Sequence, residues 1–176
     1  MRNIFKVEVD GTKTLKQMIM DGNYDQDNFG FCRDQPSFDI ANKTKRTEVI
    51  KLFNFKKNRE DTGLSFKTEM KKEGFRPSTV EELLALGAKY PNLQRRFPVM
   101  AFGSLSMVTD RRLGPCYKVA PQLGHDYHDK SCRIVRSSPT YYYTPDQSSG
   151  DLRFAGTMIA RESWFLRCKR WISFVF

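Results

Sequence analysis

No apolar run in the 176 residues approaches the roughly 20 that a membrane-spanning helix needs. Met1-Arg-Asn-Ile-Phe-Lys leads straight into a strand-like segment, without the apolar h-region of a secretory signal. A cytoplasmic protein is therefore expected, and its 4 cysteines are expected as free thiols, not disulfides. Signatures of chemistry are also missing. There is no Gly-rich phosphate loop, no G-x-S-x-G, no H-E-x-x-H and no paired-carboxylate pattern. Acidic residues are outnumbered 20 to 30 by Lys and Arg. Internal repeats and low-complexity tracts are absent.

What remains describes a folded chain. An apolar share of 39% with 14 Phe is enough to build a core and excludes a disordered composition. The most strongly punctuated stretch is Gly74–Leu105. Ser78 or Thr79 is placed to cap a helix, with Glu81 and Glu82 at the capping-box spacing and in the first turn, where the helix dipole favours negative charge. Val80, Leu83, Leu84 and Ala88 mark its buried face, and Pro91 stops it. Gly87 is the odd residue, marking either the helix end or a close neighbour. Asn92–Arg96 reads as a turn or short helix, and Val99–Leu105 as a buried strand.

Upstream, Ile4–Val9 alternates as a half-buried strand, and Asp10-Gly11 turns. Thr14 caps a short helix with Leu15, Met18 and Ile19 inward and Gly22 at its stop. Tyr24–Lys45 reads as a long ordered loop and Thr47–Phe55 as a strand. A helix is expected over Leu64–Glu73, closed by Gly74, with Phe75 folding back on Met70. Downstream, Met107–Pro115 reads as a hairpin tip and Cys116–Ala120 as a strand. Pro121–Lys130 reads as a polar loop. Ser131–Arg136 and Thr140–Tyr143 read as strands split by Ser137-Ser138-Pro139, and Leu152–Ala160 as the last strand. Short strands between Gly, Pro and Ser turns predict an antiparallel meander. The expected fold class is α+β: two or three helices on a mostly antiparallel sheet, with a strand-rich C-terminal half. A single domain is expected over residues 1–160, followed by a basic aromatic extension over 161–176.

Leu15-x-x-Met18-Ile19, Gly22-Asn23-Tyr24-Asp25 and Asn28-Phe29 carry a resemblance. So do Gly74-Phe75-Arg76-Pro77-Ser78-Thr79, Glu82-Leu83-Leu84-Ala85, Tyr90-Pro91, Leu93-Gln94-Arg95, Phe97-Pro98-Val99, Gly103-Ser104 and Arg153-Phe154-Ala155. On these residues the chain resembles a family of uncharacterised bacterial proteins of this size, over roughly residues 4–156. The resemblance implies a bacterial or mobile-element origin and a common fold, and implies no activity. Gly156–Phe176 departs from it, as does the Cys/His segment below.

Three function classes follow from the residues. Residues 111–176 hold 11 Lys and Arg against 5 Asp and Glu, a positive excess that suits polyanionic partners. Arg111, Arg112, Lys118, Lys130, Arg133, Arg136 and Arg153 would neutralise phosphates, with Tyr141 and Tyr143 stacking on bases from one strand face and Tyr142 from the other. This is the leading expectation: a non-enzymatic binding module for nucleic acid or an acidic protein. The solvated-charge and aromatic-core reading of the same residues stands beside it.

The second class is a zinc protein or metal-dependent enzyme. Cys116, His125, His128 and Cys132 supply two thiolates and two imidazoles for a tetrahedral Zn²⁺, with Asp126 and Asp129 behind them, at a spacing no standard finger has. A Cys–His nucleophile pair would use the same residues. The third class is a protein-interaction module using the tail. Trp164, Cys168, Trp171, Ile172 and Val175 share one helical face, and Arg167, Lys169 and Arg170 lie off its centre. Self-packing or a partner groove ranks ahead of a membrane surface for that face. Glu81-Glu82 is read as cap residues, because adjacent helical side chains point apart.

Overall fold

A computed structural model of the chain describes residues 3–28, 37–54, 64–110, 114–126, 129, 131–139 and 152–159. The chain runs β1 (Ile4–Asp10), α1 (Leu15–Gly22), β2 (Gln26–Asn28), β3 (Lys45–Phe53), α2 (Leu64–Lys72), β4 (Phe75–Pro77), α3 (Val80–Lys89), α4 (Leu93–Arg96), β5 (Val99–Met100), β6 (Ser106–Asp110), β7 (Gly114–His125), β8 (Arg133–Pro139) and β9 (Arg153–Met158). The nine strands among the described residues join one mixed sheet in the order β1-β3-β9-β5-β7-β8-β2, with β4 pairing β9 and β6 pairing β7. Most pairs are antiparallel; β2 with β8 and β5 with β9 are parallel. This is the expected α+β class, with the short α4 as a fourth helix.

Strand alternation sets the layers. Phe5, Val7 and Val9 of β1, Ile50 and Leu52 of β3, Val99, Leu123 and Ala155 share one face of the sheet. They form the main core with Met18 of α1 and Val80, Leu83, Leu84 and Leu86 of α3. On the other face α2 packs Met70 against Phe53 and Phe75, with Phe66 and Phe154 around them. Gly74, at φ +84°, makes the turn between α2 and β4 that a residue with a Cβ resists.

The helix-ending residue of α1 is Asn23, in the left-handed conformation at φ 45°, not Gly22, which is still helical. Asparagine tolerates that region because its short amide bonds locally. Gly87 lies inside α3 because Tyr24 packs there: a Cβ on Gly87 would sit 2.2 Å from Tyr24 Oη. The expected loop Tyr24–Lys45 contains β2, whose Gln-Asp-Asn sequence has no strand signal. It is held beside β8 by the Arg133 amide donating to Asp25 Oδ2 at 2.6 Å, with the Asp25 amide on the Arg133 carbonyl at 3.0 Å.

The C-terminal half differs most from expectation. Val99–Leu105 is not one strand. After Met100 the chain turns, the Gly103 amide binds the Ser78 carbonyl at 2.8 Å, and β6 begins at Ser106. The expected loop from Pro121 is instead the continuation of β7 to His125. A residue's N–H and C=O point to the same side of an antiparallel strand. The Pro121 carbonyl accepts from Ala101, so its missing N–H faces the side where β7 changes partner, between the start of β6 opposite Val119 and the end of β5 opposite Gln122. The proline forgoes only the return bond to the Ala101 carbonyl, beyond the last β5 pair, and leaves the β7–β8 ladder whole, which is why it is tolerated inside this strand. Ser137-Ser138-Pro139 likewise continues β8 instead of interrupting it. β9 lies in the middle of the sheet, between β3 and β5.

Candidate functional site

The first turn of α3 buries two adjacent carboxylates, Glu81 and Glu82. Their surroundings are built by three elements. β3 carries Arg46 and Glu48 two residues apart on its core face. β4 brings in Arg76 opposite Thr157 of β9. Ser78 and Thr79, between β4 and α3, close the group.

Glu82 is saturated. Its Oε1 accepts from Arg76 Nη2 at 2.6 Å and Arg46 Nη2 at 3.1 Å. Its Oε2 accepts from Arg76 Nη1 at 3.0 Å, the Thr79 amide at 2.9 Å and Thr157 Oγ1 at 2.7 Å. The Thr157 hydroxyl has one proton, spent on Glu82, so Ser78 Oγ, 2.8 Å away, must be the donor between those two hydroxyls. Burial on its own would raise the Glu82 pKa; the Arg76 hydrogen bonds, the Thr79 amide, the Arg76 charge and Thr157 reverse that and bring it down to about 2. Glu82 is the capping-box residue the spacing predicts.

Glu81 is different. Its side chain is 0% exposed, yet Oε1 meets only Arg46 Nη2 at 3.3 Å and Oε2 has no hydrogen-bond partner. The rest of the Arg46 guanidinium is committed to Glu48 Oε1 at 2.8 Å, the Asn42 carbonyl at 3.2 Å and Glu82. The Thr79 hydroxyl is buried and likewise lacks a partner, although its amide makes the capping-box bond to Glu82. Both residues line a cavity of about 520 Å³, together with Arg46, Arg76, Lys67 and Phe102. That size falls in the range of small-molecule sites.

Of the basic residues read as a polyanion surface, Lys118 and Arg136 are exposed. Lys118 and Gln122 are an even step apart on β7, and Gln122 pairs with Arg136, so the two cations share a face. Arg136 Nε donates to Gln122 Oε1 at 2.9 Å. Arg133 is not on the surface. It is 7% exposed, donates to the carbonyls of Gly22, Asn23 and Gly87 at 2.9, 3.2 and 3.0 Å, and stacks on the Tyr24 ring. Its guanidinium joins α1, α3 and β8, so the expectation of a phosphate contact there is corrected to a structural one. Arg153 faces the opposite side of the sheet from Arg136, half-buried over the Phe97 ring. Arg111, Arg112, Lys130, Tyr141 and Tyr143 lie outside the described residues, as does the whole tail Glu162–Phe176.

The Cys/His set is only partly in view, since His128 and the side chain of Cys116 lie outside the described residues. His125 Nδ1 is 2.9 Å from the Gln94 carbonyl, which makes Nδ1 the protonated nitrogen. Burial raises the Cys132 thiol pKa, as do the charges of Asp25, Asp126 and Asp129, the reverse of what activates a nucleophile. Asp126 and Asp129 shape the β7–β8 turn: Asp126 Oδ1 accepts from the Asp129 amide, and Asp129 Oδ1 from the Ser131 amide and hydroxyl. Among the described residues no three His, Cys, Asp or Glu side chains form a metal-binding group. No helix among them is long and apolar enough to cross a membrane.

Comparison with family models, curated proteins and solved structures finds no match to this chain.

The cavity itself was not legible as a site. Thr79, Glu81 and Glu82 read as an ordinary helix start, and that reading is right for Glu82. No periodicity marks the second position of a helix as buried, and Arg46 is 35 residues from Glu81. The only local signal is a doubled glutamate close behind Arg76.

Proposed function

We propose that the protein is a non-enzymatic binding module whose ligand seats in the cavity between the start of β3, β4 and the first turn of α3. The observation that carries this reading is a ligand-sized cavity of about 520 Å³ lined by Arg46, Glu48, Lys67 and Arg76, with the buried Glu81 carboxylate, one oxygen unpartnered, in its wall. A buried acceptor without a donor costs roughly 1–3 kcal/mol, more when charged, and such a group calls for an explanation. Glu81 Oε2 is itself shielded, so a ligand would meet the charged side chains that line the cavity, Arg46, Glu48, Lys67 and Arg76. Binding fits better than acid–base catalysis, because the neighbouring carboxylate, Glu82, is tied up by five hydrogen bonds and held ionised. Amide NMR spectra recorded with mixtures of small metabolites test the reading. Shifts should cluster at Ala41, Asn42, Lys67 and Phe102 for at least one compound, and vanish in Ala41→Trp, which fills the cavity from its exposed side. No such cluster with any compound would sink it.

The charge excess beyond residue 110 favours a second reading, retention of a polyanion. After the structure it rests on Lys118 and Arg136 with Arg111, Arg112 and Lys130, and no longer on Arg133. Salt-dependent retention on nucleic acid, weakened by Arg111→Ala with Arg112→Ala, is its expected result. Absence of binding at low salt would rule it out.

A further inference from the structure

We infer that the outer edge of β1 is a pairing surface for a second copy of this chain. The two β1 strands run antiparallel about Val7, with Lys6 of each opposite Glu8 of the other. The surface is separate from the cavity, and its failure leaves the cavity reading untouched.

Among the described residues β1 stands at one end of the sheet and pairs with β3 alone. It is 7 residues long, against the 3 of β2 at the other end. The Leu52 amide donates to the Asn3 carbonyl at 2.8 Å and the Gly11 amide to the Thr44 carbonyl at 3.0 Å, so the odd-numbered residues of β1 face β3. Lys6 and Glu8 therefore turn their N–H and C=O groups away from β3. The Tyr90 hydroxyl marks that direction, since it reaches the Lys6 carbonyl from outside at 3.2 Å. That carbonyl keeps a second lone pair. A strand edge of this kind is a template for another strand. The usable edge ends at Asp10, whose carbonyl accepts from the Lys13 amide and whose carboxylate is taken by Thr12 and Lys45.

Charge selects the partner. The Lys6 and Glu8 side chains are exposed on the face away from the main core, and neither is in an ion pair among the described residues. With Val7 on the twofold axis, Lys6 lies opposite Glu8 of the second copy, and Glu8 lies opposite its Lys6. Each such pair exchanges two main-chain hydrogen bonds and sets opposite charges side by side. A slip of about two residues in either direction puts Lys6 against Lys6 or Glu8 against Glu8, so one register is favoured. The strand is thus complementary to itself, the isologous contact of a twofold dimer. The paired stretch is short and each chain carries a net charge of +10, so the dimer is weak and reversible.

Sedimentation of the full chain over a concentration series, with amide hydrogen exchange alongside, tests this. A monomer–dimer equilibrium is expected. The Lys6 and Glu8 amides should become protected as concentration rises, while those of Val7 and Val9, bonded to β3, are protected throughout. Lys6→Glu and Glu8→Lys, both at exposed positions, should each weaken dimerisation ~10-fold or more by setting like charges together. Circular dichroism should stay that of the folded chain. The double variant, Lys6→Glu with Glu8→Lys, should restore the homodimer, and the two single variants should pair with each other when mixed. A dimer indifferent to these charges, or no dimer at high micromolar concentration, overturns the inference. So does slow exchange of the Lys6 and Glu8 amides at every concentration, which would show that a segment of the same chain covers the edge.

Discussion

Arg76 and Glu82 meet through two parallel hydrogen bonds, Nη2 to Oε1 at 2.6 Å and Nη1 to Oε2 at 3.0 Å, across the junction of β4 and α3. The planar fork of the guanidinium matches the carboxylate, so the pair fixes direction as well as charge. One prong cannot move without the other. This locks the strand Phe75–Pro77 to the helix that follows it and frees Glu81, next door, from acting as the Arg76 counterion.

That pair gives stability a defined dependence on pH. Glu82 falls from an ordinary value of 4.5 to about 2 in the folded chain. A depressed carboxylate contributes stability that is fully present above 4.5 and is lost as pH falls toward 2. The loss over that window should be about 3 kcal/mol. Urea denaturation at pH 6, 4, 3 and 2 should show it, and Glu82→Gln should flatten that part of the curve while lowering stability at pH 6. An unchanged slope in the variant would assign the acid sensitivity elsewhere.

Thr157→Val keeps the shape of the side chain and removes the hydroxyl that joins Ser78 to Glu82. About 1–3 kcal/mol of stability at neutral pH should go with it, because Ser78 Oγ is left buried without its acceptor. The acid transition should also move to higher pH, since Glu82 loses a donor to its charged form. Parallel shifts of wild type and variant at every pH would contradict the second part.

Gly87→Ala improves helix propensity by about 1 kcal/mol and should still destabilise the protein. The new Cβ would lie 2.2 Å from Tyr24 Oη and 2.8 Å from Leu123 Cδ1, so overpacking of about 1–3 kcal/mol wins. Adding Tyr24→Phe takes away the closest atom, and the double variant should recover part of the loss. Thermal melts of the four proteins form the cycle; a stabilised Gly87→Ala would show that the helix moves freely there.

Arg133→Met should cost roughly 3 kcal/mol or more, from three carbonyls left without a charged donor. It should leave the salt dependence of any nucleic-acid retention as it was, because the guanidinium is internal. Retention that weakens in step with a lost phosphate contact, in a variant that stays folded, would return Arg133 to the surface reading.

Local signals were legible where they depend on neighbours in sequence. The alternation of Phe5, Val7 and Val9 placed β1, the Thr79 cap and Val80–Leu84 pattern placed α3, and Gly74 placed the α2 stop. What failed depends on partners far along the chain. Pro121 and Pro139 look like strand breakers, yet both lie in strands: Pro121 at a gap between neighbouring strands, Pro139 at the end of β8. Gln26–Asn28 has no strand propensity and becomes one through Asp25 and Arg133, more than 100 residues apart.

The sequence by itself determined the class of fold, the helix starts and the faces that pack, because caps and periodicity are short-range. It also determined the net positive charge. Only the tertiary structure decided which charges are available. Arg133 is taken inward by backbone carbonyls of α1 and α3, Glu82 by two arginines from different strands, and Glu81 is left beside them with one oxygen to spare. Hydrogen-bond supply around a buried group is set by which elements meet there, and no spacing within a single helix or strand encodes it.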